Sequence, residues 1–173
     1  MLLKIIGSFM VVSSSTLLGF WYSQKYTARP QCLRLIQTQL QFLETEICYM
    51  SNTLPEAFNK IKLVFDKQTS LIFKDTAYYL TNRQFINVSD AWETAVRKNI
   101  YDLAINNEDA QLLISFGKSL GNSDCENQKK NIRNILSQLQ LQEQKAETEK
   151  IKNEKLCKNM GMISGILITI VLL

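Results

Sequence analysis

Cys32, Cys48, Cys125 and Cys157 are the strongest nucleophiles in the sequence. No two of them form a C-x-x-C pair, so a structural zinc site or a thioredoxin-type couple has little support. They read as reduced thiols on the helices of a cytosolic domain. An even number of cysteines would allow two disulfides in a secreted chain, but the topology argued below speaks against secretion. Histidine is absent. That removes Ser-His-Asp and Cys-His nucleophile systems and any zinc site that needs an imidazole. Carboxylates pair as Glu44 with Glu46 and as Asp124 with Glu126. Residues two apart on a helix do not share a face, so the first pair is not an acid–base couple. The second pair fits the first turn of a helix, where the dipole favours acids. Gly117-x-x-x-Gly121 lacks the Lys-Ser/Thr that completes a phosphate-binding loop. G-x-S-x-G, H-E-x-x-H and EF-hand patterns are also missing. The residues thus predict no catalytic residue, no cofactor and no metal. An acidic, membrane-embedded enzyme is the disfavoured alternative. What remains is a protein that works through surfaces.

The elements that must carry such surfaces are long and helical. Six glycines and two prolines in 173 residues exclude low-complexity disorder and favour uninterrupted elements. Hydrophobic residues make up 46% and charged residues 21%, which suits one domain with membrane segments. The net charge of +4 is too weak and too evenly spread for a nucleic-acid surface.

Both ends look made for a bilayer. Ile5 to Tyr22 is an uncharged run of 18 residues, just enough to cross ~30 Å of hydrocarbon as a helix. Phe20, Trp21, Tyr22 and then Lys25 close it as an aromatic belt with a cationic anchor. A cleaved signal peptide is the alternative, but the apolar character resumes after Ser13-Ser14-Ser15. Met160 to Leu173 is uncharged as well and spans ~21 Å as a helix, short for a full crossing. It has no polar face to turn toward water, so a membrane helix is expected rather than a buried core helix. Gly161 and Gly165 form a G-x-x-x-G pair that would let another membrane helix approach closely. Lys25, Arg29 and Arg34 lie just inside the first segment. Lys145, Lys150, Lys152, Lys155 and Lys158 lie just inside the second, and only Lys4 lies outside either. The positive-inside rule then puts the middle in the cytoplasm and both termini outside.

The middle carries helical periodicity. Leu33, Ile36, Leu40, Leu43, Ile47 and Met50 step by three and four, and Pro30 suits the first turn. Thr53-Leu54-Pro55-Glu56 is a capping box that opens a helix with Leu54, Phe58, Ile61 and Phe65 on its apolar face. Ser70 opens a third helix with Ile72, Phe73, Ala77 and Leu80. Asp90-Ala91-Trp92-Glu93 predicts the start of a fourth, with Trp92, Val96 and Ile100. Asn107 before Glu108-Asp109 predicts a fifth, carrying Leu112, Leu113, Phe116 and Leu120 and stopping at Gly121. Ser123-Asp124-Cys125-Glu126 predicts the cap of a sixth, with Ile132, Ile135, Leu136 and Leu139. From Gln140 to Lys155 that helix turns polar and reads as an exposed arm leading to the membrane. The expected fold is all-α: an antiparallel six-helix cytoplasmic bundle over 26–155. Transmembrane helices over 1–25 and 156–173 flank it.

These residues resemble one family closely. Leu112-Leu113-x-x-Phe116-Gly117-x-x-Leu120-Gly121-x-Ser123-Asp124 matches the LL-x-x-FG-x-x-LG-x-SD pattern of the stage III sporulation protein AB family of endospore-forming bacteria. Gln128 and Lys130 fall on that family's Q-x-K. Leu43-Glu44-x-Glu46-Ile47-x-Tyr49 resembles its LE-x-EI-x-Y. Arg29-Pro30, Leu54-Pro55-Glu56-Ala57, Ala91-Trp92-Glu93 and the Gly161-x-x-x-Gly165 tail are in register. Cys125 departs from the family's usual basic residue after SD, and Gln140 from its frequent Glu.

The resemblance implies a domain similar to the F-type platform proteins of type II secretion and type IV pilus systems, which are not enzymes. It implies membership of a channel complex in the mother-cell membrane around the engulfed forespore, needed for late forespore development. The implied partners are a hexameric cytosolic secretion-type ATPase, similar to stage III sporulation protein AA, and other membrane proteins of the channel. Homo-oligomers are left open. In that setting Phe116, Gly117, Leu120 and Gly121 become candidates for a partner interface. Glu44, Glu46, Asp124 and Glu126 become candidates for facing basic residues of the ATPase. A tight helix corner is the structural reading of the glycine motif, and solvated acids that of the carboxylates. The competing functional class is a two-pass membrane scaffold or signalling protein whose helical domain dimerises.

Overall fold

The computed structural model describes residues 27–50, 52–121 and 125–172, together with Gly7, Ser13, Ser14 and Leu17. The side chains at 158, 161, 162 and 164–172 fall outside that description. From residue 27 onward the described chain holds six α-helices and no strand: α1 (Ala28–Cys48), α2 (Leu54–Phe65), α3 (Ser70–Thr81), α4 (Val88–Asn99), α5 (Asn107–Gly117) and α6 (Cys125–Leu172). A 3-10 turn, Ile100–Asp102, follows α4. The all-α expectation is met. The chain forms two compact units, Gln31–Glu143 and the pair of segments Met1–Pro30 with Gln144–Leu173.

No helix among the described residues is long and apolar enough to cross a membrane. The expected first span is represented there only by Gly7, Ser13, Ser14 and Leu17, all helical. Its aromatic belt and Lys25 lie outside the described residues. At the other end the backbone is helical through Gly161 and Gly165, while the surroundings of both glycines lie outside the description. The polar arm leads straight into the terminal segment, as its helical spacing suggested. No break separates the polar arm from the terminal segment, because α6 is a single helix of 48 residues. Nothing in Gln140 to Gly161 stops a helix, since that stretch has no proline and no capping residue in a left-handed turn.

In the unit Gln31–Glu143 the apolar periodicity becomes the core. Leu33, Ile36, Leu40 and Leu43 of α1 are fully buried, whereas Met50 is exposed because α1 has already ended at Cys48. Thr53 caps α2 as expected, its backbone N–H donating to Glu56 Oε2 at 3.0 Å with Pro55 in the first turn. That contact, chiefly through the Thr53 hydroxyl and then its N–H, holds the Glu56 carboxyl below its ordinary range. The start of α3 is fixed by Ser70, whose hydroxyl donates to the Lys67 carbonyl at 2.6 Å.

Three boundaries differ from the sequence reading. The cap of α4 is Asn87 in extended backbone, so the helix starts at Val88 and Asp90 becomes its first-turn acid. The cap of α5 is Asn106 rather than Asn107. Asp109 N–H donates to Asn106 Oδ1 at 2.9 Å, and Asn106 N–H returns the bond to Asp109 Oδ2 at 3.0 Å. An Asn cap served by an Asp at the third position reproduces the logic of the Ser/Thr–Glu box with shorter side chains. Finally, α5 ends at Gly117, and residues 118–121 form a turn in which Gly121 has φ +78°. The expected Ser123-Asp124 cap of α6 lies outside the described residues.

Successive helices pack on one another: α2 on α3, α3 on α4, and α4 on α5 and the 3-10 turn. Within the same unit α1 and α6 run antiparallel. Arg34 and Gln37 near the start of α1 meet Glu143, whereas Glu44 near its end meets Arg133. Trp92, Phe58 and Phe73 are the largest fully buried side chains of this unit. Burying each stabilises the fold by ~1.5–3 kcal/mol, about the size of any single polar contact described below or larger.

Candidate interaction site

The Phe116–Gly121 motif sits where α5 meets α4, around Trp92. The indole N–H of Trp92 donates to the Leu113 carbonyl at 2.7 Å. Its ring meets Phe73, Phe116 and Phe58 with centroids at 5.2, 5.8 and 5.8 Å, the first two edge-on. Gly117 is what lets the α5 backbone lie against that indole. A Cβ at this position would stand 2.3 Å from Trp92 Cδ1. Gly121 needs its left-handed backbone, and a Cβ there would meet Val88 and Leu54 at 3.2 and 3.4 Å. Phe116, Gly117 and Leu120 are buried; Gly121 is exposed. The motif therefore builds an internal corner, and of its four candidates only Gly121 stands at the surface.

The acidic candidates are divided in the same way. Glu46 is buried at the end of α1, where its Oε2 accepts from Asn52 Nδ2 at 2.5 Å and pairs with Lys60 Nζ at 2.8 Å. It staples α1 to the turn and to α2. The Glu44 carboxylate is mostly covered and faces Arg133 of α6 at 3.7 Å. Neither is an open acid waiting for a basic partner. Glu126, in the first turn of α6, is exposed. Asp124 lies outside the described residues.

The contacts along the α1–α6 seam were not legible in the sequence. Arg34 donates from Nε and Nη2 to Glu143 Oε1 at 2.9 and 2.6 Å, while Gln37 donates to Oε2 of the same carboxylate at 2.7 Å. Opposite charges on two expected helices were a signal, but only the register of the pair could match them. Tyr49 ends the seam: the Lys129 ammonium donates to its hydroxyl at 3.2 Å and lies 5.4 Å from its ring centroid. That hydrogen bond raises the Lys129 pKa. Tyr49 and Met50 are both exposed there. In the other unit Arg29 pairs with Glu149 at 3.0 Å.

The thiols are distinct in their surroundings. Cys32 is pushed up to about 11, mainly by burial, against a lowering contact with the Ala104 backbone. Cys48 and Cys125 touch each other's backbone across the seam. No group of three or more Cys, Asp or Glu suited to a metal ion occurs among the described residues. A groove of about 350 Å³ opens between α4, the 3-10 turn and α5, lined by Val96, Arg97, Ile100, Tyr101, Gln111 and Ile114 among others. It holds no thiol and no carboxylate, and so offers a shape rather than a reaction. The unit Gln31–Glu143 presents a helical body with an aromatic and charged surface at the seam's end.

Comparison with known proteins bears on what that body is. The family model described as stage III sporulation protein AB matches residues 4–173. Stage III sporulation protein AB of Bacillus subtilis (strain 168) is 31% identical over 172 residues, covering 99% of this chain and 100% of the relative. A solved structure of stage III sporulation protein AB is similar with a TM-score of 0.67 and 28% identity, covering 72% of this chain and 98% of that chain.

Proposed function

The chain belongs to the stage III sporulation protein AB family, and from that premise we propose that it is a non-enzymatic platform of a sporulation-specific, secretion-like channel complex. In this reading the two apolar ends anchor it in the mother-cell membrane around the forespore, with both termini outside. The helical middle lies in the cytoplasm and engages a hexameric secretion-type ATPase, similar to stage III sporulation protein AA. Other membrane proteins of the channel complete the assembly.

One observation carries the reading: the match to the family runs through residues 4–173, so it takes in both apolar ends as well as the helical middle. The chemistry supports it. Glu44 and Glu46 are held by Arg133 and Lys60, which suits a body that docks rather than reacts. The docking surface we propose is the seam's end, where Glu126, Tyr49 and Met50 are exposed beside Lys129. Gly121 is the exposed member of the neighbouring motif. Aromatic residues at a polar rim are common anchors of interfaces.

A pull-down tests this. The full chain in detergent is mixed with the cognate ATPase, with and without nucleotide. Saturable binding with a defined stoichiometry is expected, weakened tenfold or more by Tyr49→Ala combined with Glu126→Lys. Absence of binding, with the chain folded, sinks the ATPase reading and leaves the dimerising two-pass scaffold.

A further inference from the structure

Cys48 closes α1 and Cys125 opens α6, 77 positions apart in sequence. The Cys48 thiol donates to the Cys125 carbonyl at 3.4 Å, and the Cys125 thiol turns back to the Cys48 carbonyl at 3.8 Å. Such reciprocal contact requires each Cβ–Sγ bond to point at the other residue's backbone. Each thiol thus lies against the other residue, and rotation about Cα–Cβ turns the two sulfurs toward one another, as a disulfide between Cα atoms ~4.4–6.8 Å apart requires. The approach does not depend on a loop. It is set by the antiparallel register of two helices, pinned beside it by Glu44 with Arg133 and by Tyr49 with Lys129. Cys32 is on the same helix but ~24 Å further along, at 1.5 Å of rise per residue, and cannot compete for the same partner.

We propose that Cys48 and Cys125 are a redox couple, closed to an intramolecular disulfide by a small-molecule disulfide such as glutathione disulfide and reopened by thiols. This inference stands apart from the platform reading. Cys125 is the exposed thiol and takes the first step. Its thiolate attacks one sulfur of glutathione disulfide, the S–S bond of that oxidant breaks, and one glutathione thiolate leaves. The Cys48 thiolate then attacks the Cys125 sulfur of the mixed disulfide, and the second glutathione thiolate leaves as the Cys48–Cys125 bond forms. The two protein thiols lose two electrons, and one glutathione disulfide becomes two thiols. The two protons that leave the protein end on them.

The second step needs the Cys48 thiolate. Burial pushes the Cys48 thiol up to about 12, and its contact with Cys125 and the charge of Glu44 add to this against the lowering effect of Lys129. Conversion of Cys125 to a mixed disulfide removes one of those causes, because a disulfide sulfur carries no negative charge. Once formed, the bond closes a loop around the whole of α2 to α5. A cross-link over so long a loop restricts the unfolded chain strongly. Its effect is to hold the first turn of α6 against the last turn of α1. In a reducing cytoplasm such a bond is transient, which is the behaviour of a sensor rather than a structural staple.

The experiment uses the reduced full-length chain in detergent. It is incubated with glutathione disulfide at pH 8, quenched with an alkylating agent, digested and analysed by mass spectrometry. Two of the four thiols should disappear, with a linked peptide pair containing Cys48 and Cys125 and faster migration on a non-reducing gel. The apparent melting temperature should rise by roughly 10 °C and fall again with dithiothreitol. Cys32→Ser should leave all of this intact, whereas Cys125→Ser should abolish it. A lasting glutathione adduct on Cys125 without the linked peptide, cross-linked dimers, or pairing through Cys32 or Cys157 would overturn the proposal. The linked peptide in the wild-type chain decides the matter even where a variant fails to fold.

Discussion

Gly117 shows how a single missing side chain organises the domain. In a helix interior, alanine is favoured over glycine by ~1 kcal/mol, so propensity alone would welcome Gly117→Ala. The new Cβ, however, would lie 2.3 Å from Trp92 Cδ1 and 3.0 Å from Cγ. The indole cannot step aside, since its N–H is bonded to the Leu113 carbonyl and its ring is enclosed by Phe58, Phe73 and Phe116. Overpacking of this kind costs ~1–3 kcal/mol, and Gly117 is the last residue of α5, where the propensity gain is smallest. Gly117→Ala should therefore destabilise the chain by ~1–2 kcal/mol in chemical denaturation, and should cost little more when added to Trp92→Ala, which removes the Cγ and Cδ1 atoms that the new Cβ would strike. Additive losses in the two variants would show that the contact with Trp92 is not the cause. The same contact explains how far the motif was legible. A paired glycine with flanking Phe and Leu announced a close approach, but the sequence could not say that the surface approached was Trp92, 25 positions away and inside the same domain.

At the scale of elements, the seam between α1 and α6 and the staple at Glu46 decide how the helices are held. Glu46 joins three pieces of chain: α1, which carries it, the following turn through Asn52, and α2 through Lys60. The Lys60 side chain is 47% exposed, so solvent screens the pair and its Coulombic part is modest. Loss of the charged hydrogen bond to Asn52 in the buried carboxylate matters more. Glu46→Ala should cost ~1–2 kcal/mol, and Lys60→Met alone less than ~1 kcal/mol, both read by denaturation of the full chain. An equal cost for the two would place the stabilisation in the ion pair instead. Partner binding should fall with Glu46→Ala only as far as the folded fraction falls. Helix identity and core faces were legible, because apolar spacing of three and four survives any tertiary context in which one face is buried. Starts were less so. Asn87 and Asn106 cap from positions two or three residues before the acids that drew attention, because the acid belongs inside the first turn and the cap ahead of it. The unbroken course of α6 shows that a change from polar to apolar residues marks a change of surroundings, not a change of backbone.

The whole molecule raises the question of which side of a membrane each part faces. Its apolar ends carry the expectation of a two-pass chain, and the lysines and arginines flanking them carry the orientation. Pairing partners such as Arg34 with Glu143 could not be foreseen at this scale, since charge complementarity between distant helices is degenerate until the register is known. Orientation is different: it depends on counts of charges near the ends and needs no register. Cys125 offers a native reporter, because it is exposed and lies in the middle of the chain. In a bacterial host carrying the chain in its plasma membrane, a membrane-impermeant maleimide should leave Cys125 unmodified in intact cells. It should modify Cys125 once the membrane is permeabilised. A cysteine introduced by Leu2→Cys should behave in the opposite way, reacting in intact cells, because the N-terminus is expected outside. The charge asymmetry is large enough to make this an all-or-none outcome rather than a mixture, since each lysine or arginine held on the wrong side is penalised separately. Modification of Cys125 in intact cells would invert the topology, and with it the access of any cytosolic ATPase to the helical domain.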